Sequence, residues 1–234
     1  MTQLQTQVEA QIVSLNVGMP KPASYRNKEI MTGIYKQPID GPVWLSNVNF
    51  AGDAQGDLIN HGGKEKAVCV YACEHYDYWE KELGKPLSFG AFGENLTTRG
   101  LLETDVYIGD QFKLGEAILE VSQPRQPCYK LAMKHEQPDL PQLVQQTGYT
   151  GYYCRVLQEG YVSSQDRLTL YKRGPGGITI ADTNRIMHHD KHNEAAIRAL
   201  LALEALSVNW RKTLSGRLAG TEADPSIRLH GPKS

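Results

Sequence analysis

The sequence predicts a mainly β fold, a barrel or closed sheet, followed by a small helical unit. Three observations carry this expectation. Up to about residue 173, short apolar runs are separated by Gly, Pro, Asn and Asp, the punctuation of many short strands. After Gly174-Pro175-Gly176-Gly177 the apolar spacing becomes helical. Nowhere does a long helix alternate regularly with strands, as an open parallel sheet would require.

Taken in order, Val8, Ala10 and Ile12, then Val13, Leu15 and Val17, predict one strand whose phase shifts midway. Further strands are expected over 30–35, 43–50, 67–71, 118–121, 152–157 and 168–171. A helix over 75–83 puts Tyr76, Trp79 and Leu83 on one face and stops at Gly84; another over 140–147 takes Asp139 as its N-cap and Gly148 as its end. Beyond the break, Thr179, Asn193 and Ser207 can each cap a short amphipathic helix, with faces built on Ile186 and Met187, on Ile197 and Leu200, and on Trp210 and Leu214. Three such helices bury little alone, so they are expected to pack together and against the barrel. The expected organisation is residues 1–173 as the β domain, 178–220 as the three-helix domain and 221–234 as a flexible tail.

Composition narrows the function classes. The 234 residues are 40% hydrophobic and 22% charged, ordinary for a globular chain with its own core. A net charge of −1 supplies no electrostatic footprint for nucleic acid or an anionic membrane, so neither partner is expected. No apolar run approaches the ~18–20 residues of a membrane helix, and the polar N-terminus has no signal-peptide pattern. The four cysteines (Cys69, Cys73, Cys128, Cys154) fit neither a disulfide framework nor a CxxC zinc site. A cytoplasmic protein with reduced thiols is the expectation.

Three segments carry chemistry. In GDLINHGGKEKAVCVY (56–71), a His-Gly-Gly turn followed by Lys64 and Lys66 can bring backbone N–H groups and charge to an anion; the same residues also make an ordinary tight turn with solvated lysines. In FGAFGENLTTRG (89–100), glycines flank Glu94 and Asn95, and Thr97 and Thr98 follow. Asn95 can donate to and accept from a heterocycle edge, or satisfy its own loop. In SQPRQPCYKL (122–131), Pro124 and Pro127 force the chain out of a strand ladder into a stiff loop that presents Cys128. Arg125 and Lys130 would lower the pKa of that thiol if they lie close in space. The other three cysteines sit in or beside apolar runs and read as core. His188 and His192 are spaced for zinc on one helix face, but Asp190 and Asn193 interrupt the helix between and after them. For a Cys-His pair, His61 and His135 are both available and the spacing selects neither.

GD-x5-HGG with a following basic residue and strand, then FGENLTT, then SQPR-x-PCYKL, in this order over most of residues 8–173, resemble the MOSC family, named for the C-terminal domain of molybdenum-cofactor sulfurases. The pattern is most similar to the bacterial YiiM-type subgroup, and DTNRIMHHDK (182–191) with NWRKTLSGRL (209–218) resemble its three-helix extension. The resemblance implies a MOSC-type β-barrel followed by a small three-helix C-terminal domain, binding molybdenum cofactor (molybdopterin). Pyridoxal phosphate is not expected. Cys128 takes the place of the motif cysteine that contacts molybdenum or carries sulfur. Asn95, Thr97, Ser122 and Arg125, with Gly62, Gly63 and Lys66, are the implied cofactor-binding residues. The implied activity is reduction of N-hydroxylated compounds such as 6-hydroxylaminopurine, a base-analogue detoxification. Its alternative is a sulfur carrier with a persulfide on Cys128. Reducing N–OH releases water, so a proton donor is needed; Asp57, His61 and Glu94 are the candidates. With no GxGxxG fingerprint and no iron–sulfur cysteine set, an external electron-donor protein is expected.

Overall fold

The computed structural model describes residues 8–58, 60–222 and 224–231. The chain opens with strand β1 (Glu9–Val17), the hairpin β2 (Lys21–Tyr25) and β3 (Lys28–Thr32), and the short β4 (Gln37–Pro38) and β5 (Val43–Leu45). Strand β6 (Val68–Ala72), helix α1 (Tyr76–Leu83), and strands β7 (Leu96–Arg99), β8 (Gln111–Leu114) and β9 (Ala117–Pro124) follow. Helices α2 (Tyr129–His135) and α3 (Leu140–Thr147) then precede β10 (Tyr152–Gln158), β11 (Gly160–Val162) and β12 (Arg167–Lys172). The chain continues with α4 (Ile180–His188), α5 (Glu194–Leu201), α6 (Val208–Leu218) and α7 (Ser226–His230).

Seven strands close a barrel in the order β12-β8-β9-β10-β6-β7-β1, because β1 pairs with β7 on one side and β12 on the other. All these pairings are antiparallel except β6 with β7. Closure leaves none of these seven strands as a free edge of the barrel. The register of β1 slips between Ile12 and Ser14, a bulge at Val13 that is the phase shift visible in the sequence. The expected strand over 30–35 ends at Thr32. Gly33 turns against the neighbouring segment, where a β-carbon would lie 2.2 Å from the Ala54 carbonyl oxygen. The expected strand over 43–50 shortens to β5 with an isolated bridge from Leu45 to Phe50. β9 runs on to Pro124, still opposite Tyr152, before the chain leaves the sheet.

The barrel interior and the C-terminal helices share one core. Leu45, Phe112 and Leu119 belong to the same buried cluster as Ile186, Ile197, Leu200, Trp210 and Leu214. Thr179, Asn193 and Ser207 cap α4, α5 and α6 through Asp182, Ala196 and Trp210 N–H, whereas the Asp139 side chain caps nothing. A polar joint fixes the bundle to the barrel. Glu65 accepts from Val208 N at 3.0 Å, at the start of α6, and from Arg155 at 3.3 Å; Arg155 also donates to Glu120 and to the Ala205 carbonyl. A second cluster, Tyr71, Trp79, Phe92, Leu131 and Val144, packs α1, α2 and α3 beside the barrel. Residues 226–230, expected in a flexible tail, form α7 with Leu229 buried.

Candidate functional site

A cleft enclosing about 550 Å³, counted out to its mouth, lies where residues at the ends of β6, β9 and β10 meet segments 32–36 and 54–66. Glycines make this wall possible: a β-carbon on Gly56 would sit 2.4 Å from the Met31 carbonyl oxygen. Cys128, His61, Lys66, Asn95 and Arg125 line the cleft, so residues from all three sequence segments converge. Lys36, Lys130, Cys69, Phe92 and Tyr153 line it as well. Among the described residues, four cations and no carboxylate reach its surface.

Cys128 is the residue before α2, in extended backbone (φ −136°, ψ 168°), with its sulfur 3.2 Å from His61 Nε2. Burial pushes this thiol up. The charge and hydrogen bond of His61, the Arg125 guanidinium and the Lys130 N–H outweigh burial and bring it down to about 7. Thus the structure selects His61 as the partner of Cys128; His135 instead lies 2.9 Å from the Ala91 carbonyl oxygen through Nε2. Behind His61, Asp57 Oδ2 stands 3.4 Å from Nδ1, a charge contact without hydrogen-bond geometry. Burial raises the Asp57 carboxyl, but two hydrogen bonds from Asn60 and the charges of His61 and Lys130 lower it to about 2.

Arg125 is 6% exposed. Its Nη2 donates to the Phe92 carbonyl at 2.7 Å, while Nη1 is buried without a partner among the described residues. Burial opposes its charge, and the nearby thiols and the Tyr153 hydroxyl hold the proton on it. Burial lowers Lys66, opposed by Glu65, Asp57 and Cys128; its Nζ donates to the Asn60 carbonyl at 2.5 Å. Lys36 is buried and paired with Asp53, whose other oxygen accepts from Asn95 Nδ2 at 2.9 Å. Asn95 Oδ1 in turn accepts from Cys69 N. Asn95 therefore stiffens the cleft wall with its own polar atoms in use.

The other candidates lie behind this surface. Glu94 is fully buried and accepts from Tyr76, Gly90 N, Phe92 N and Thr97, shaping the FGEN loop from inside. Thr97 also accepts from Asn16 Nδ2, and Ser122 donates to the Glu65 and Tyr153 carbonyls. Gly62 packs on Leu58, and Gly63, at φ 96°, starts the 3-10 turn Lys64–Lys66 that aims Lys66. Lys36, Asp53 and Tyr153 escaped the sequence reading because no local motif surrounds them. His188 ends α4, so His192 lies off that helix and the two make no zinc pair on one face. Among the described residues no three His, Cys, Asp or Glu side chains gather as a metal-binding group. Nor is any helix among them long and apolar enough to cross a membrane.

Fold and site together define a closed β-barrel that carries an acidified thiol in a cationic cleft, braced by a helical extension. The chain belongs to the MOSC family, in its YiiM-like branch: residues 57–169 match the MOSC domain and 178–221 the YiiM-like, 3-alpha helix domain. It is 54% identical over 200 residues to the Bacillus subtilis protein YflK, covering 86% of this chain and 90% of that one. Protein YiiM of Escherichia coli is 39% identical over 204 residues, covering 86% and 91% of the two chains. The crystal structure of YiiM from Geobacillus stearothermophilus superposes with a TM-score of 0.76 at 44% identity, covering 89% of this chain and 99% of that one. A Gibberella moniliformis protein named reductase is 37% identical over 163 residues, 68% of this chain but 29% of its own length.

Proposed function

We propose that the cleft binds molybdenum cofactor and that the chain reduces N-hydroxylated compounds such as 6-hydroxylaminopurine. The observation that carries this reading is Cys128, acidified beside His61, in a cleft that also holds a buried Arg125 nitrogen with no partner among the described residues. Those residues fit the cofactor. A thiolate is a soft ligand suited to a thiophilic metal, and the cationic lining suits a phosphate. Since the described residues gather no metal-binding group of their own, a metal here would bring its own ligands, as a pterin dithiolene does. Cys128 would face the metal, and Arg125, Lys66 and Lys130 would take the anionic groups. When bound, the cofactor supplies the electron and oxygen-atom chemistry.

The chain's own residues do the rest. Converting R–NH–OH to R–NH2 and water consumes two electrons and two protons. Asp57, held down to about 2, is ionised at neutral pH and Glu94 is enclosed by its donors. His61 is the remaining candidate, placed to hold a proton beside the thiol. Electrons come from an external donor protein in this reading. The test is electron-driven reduction of 6-hydroxylaminopurine by cofactor-loaded protein. Wild type is expected to turn over and Cys128→Ala to lose at least tenfold, a loss of ~1.4 kcal/mol or more in transition-state stabilisation; full activity in the variant sinks the assignment. The acidified thiol also favours a second reading, a sulfur carrier. Gain of one sulfur atom on Cys128 from a sulfur donor, with no reduction by the loaded protein, would select it.

A further inference from the structure

We propose that the C-terminal turn 226–231 is part of the thiol site, with Arg228 as the positioning residue that fixes the Cys128 segment. The proposal rests on the reading of Cys128 as the working thiol and adds a residue that no motif in the sequence marks.

The turn grips the chain on both sides of Cys128. Arg228 Nη1 donates to the Pro127 carbonyl at 2.6 Å, and Nη2 donates to Gln145 Oε1 on α3 at 2.7 Å. The Pro127 carbonyl belongs to the peptide bond whose N–H is that of Cys128, so holding this oxygen fixes the plane from which the Cys128 side chain departs. On the other side, Gly231 (φ 82°) lies against Tyr129. A β-carbon there would stand 2.9 Å from Tyr25 Cε1 and 3.1 Å from Tyr129 Cγ. Tyr25 and Tyr129 have ring centroids 5.3 Å apart, and Tyr25 Oη donates to the His230 carbonyl at 3.4 Å. Leu229, between Arg228 and Gly231 in the chain, is buried and anchors the turn. An arginine suits the post because its planar fork serves two acceptors at once.

The sulfur responds to how it is aimed. From segment 57–66 it is faced by His61, with Asp57 behind that ring, and by Lys66; from its own segment by Arg125, Tyr129 and Lys130; from β10 by Tyr153; and from α7 by Arg228. The sulfur stands 3.2 Å from His61 Nε2, so the orientation of the Pro127–Cys128 peptide sets whether it faces that ring and the cleft.

The experiment is the rate of Cys128 alkylation at a single pH of 9.5, read by mass spectrometry on the full chain below the melting temperature of each variant, so that the rate reports how firmly the segment is held. In Arg228→Ala the released segment reacts about fivefold faster than wild type. Arg228→Lys, which keeps a charge and one hydrogen bond, returns part of the way. Gly231→Ala wedges the Tyr25–Tyr129 pair apart without altering charge and moves the rate in the same direction. A purely structural role would lower the melting temperature and leave the rate in place. Wild-type rates in both Arg228→Ala and Gly231→Ala overturn the proposal. Full reduction of 6-hydroxylaminopurine by Cys128→Ala sinks the reading of the site instead, an outcome these rates do not produce.

Discussion

Four cysteines of one chain are tuned apart by what each sulfur faces. Burial pushes Cys69 up to about 12 and also raises Cys73 and Cys154, because no cation or hydrogen bond at those positions overcomes desolvation. Cys128 is buried too, yet His61 and Arg125 bring it to about 7. At pH 7 about half of it is then thiolate, and its reactivity climbs with pH through that value. Replacing His61 by Gln removes the larger of the two counter-charges. The expected result is an alkylation midpoint raised towards ~8.5 and a rate at pH 7 reduced roughly tenfold. An unchanged midpoint would show that the imidazole does not acidify the thiol. Much of this residue set was legible in sequence. Cys128, Arg125, His61, Lys66 and Asn95 sit in short motifs whose turn chemistry is local. Glu94, Thr97 and Ser122 lie in the same motifs but turn inward, a distinction set by strand register and loop closure that spacing alone does not carry. Lys36 and Asp53 were invisible because their partnership exists only after residues far apart in sequence meet.

At the scale of elements, strongly apolar strands and capped helices declared themselves, and polar ones did not. β2 and β4 carry too few apolar residues for period-2 reading, β8 alternates but over only four residues, and the hairpin of β2 and β3 is largely exposed, turning at Arg26 and Asn27 with both φ values positive. The two prolines ahead of Cys128 predict the loop that residues 125–128 form, but not α2, which begins immediately after it. α7 escaped notice because a polar five-residue helix owes its order to contacts elsewhere in the chain. α4 carries a pH dependence of its own. His188, its last residue, is depressed to about 3, by burial first and then by Arg228, His189, Arg217 and Lys191. The unfolded chain binds this proton near 6.5 and the folded chain does not, so stability is lost as pH falls from about 6.5 towards 3. Between pH 7.5 and pH 5 wild type is expected to lose about 1–2 kcal/mol from this group. His188→Gln should lose correspondingly less, as read from denaturant midpoints at the two pH values. Equal acid losses in both proteins would rule the group out.

At the scale of the whole molecule, the barrel and the C-terminal helices act as one support for the cleft. Ser122 sits at the end of the strand that leads to Cys128, and its carbonyl accepts from Ser207 N beside α6. Glu65, two residues past the His-Gly-Gly turn, binds the same helix start. The helical extension therefore braces two of the three segments that build the site, and α7 grips the residues flanking Cys128. Fold class and the helical extension were legible because apolar periodicity survives across a domain. The bracing was not, since it depends on single hydrogen bonds between distant residues. The most direct test of the central claim is molybdenum and pterin analysis of full-length protein purified from a host that makes the cofactor. Wild type should hold molybdenum and pterin in equal amounts, close to one per chain, and Cys128→Ala combined with Arg125→Ala should hold little of either. Wild type free of both, or a double variant that retains both undiminished, would contradict the account.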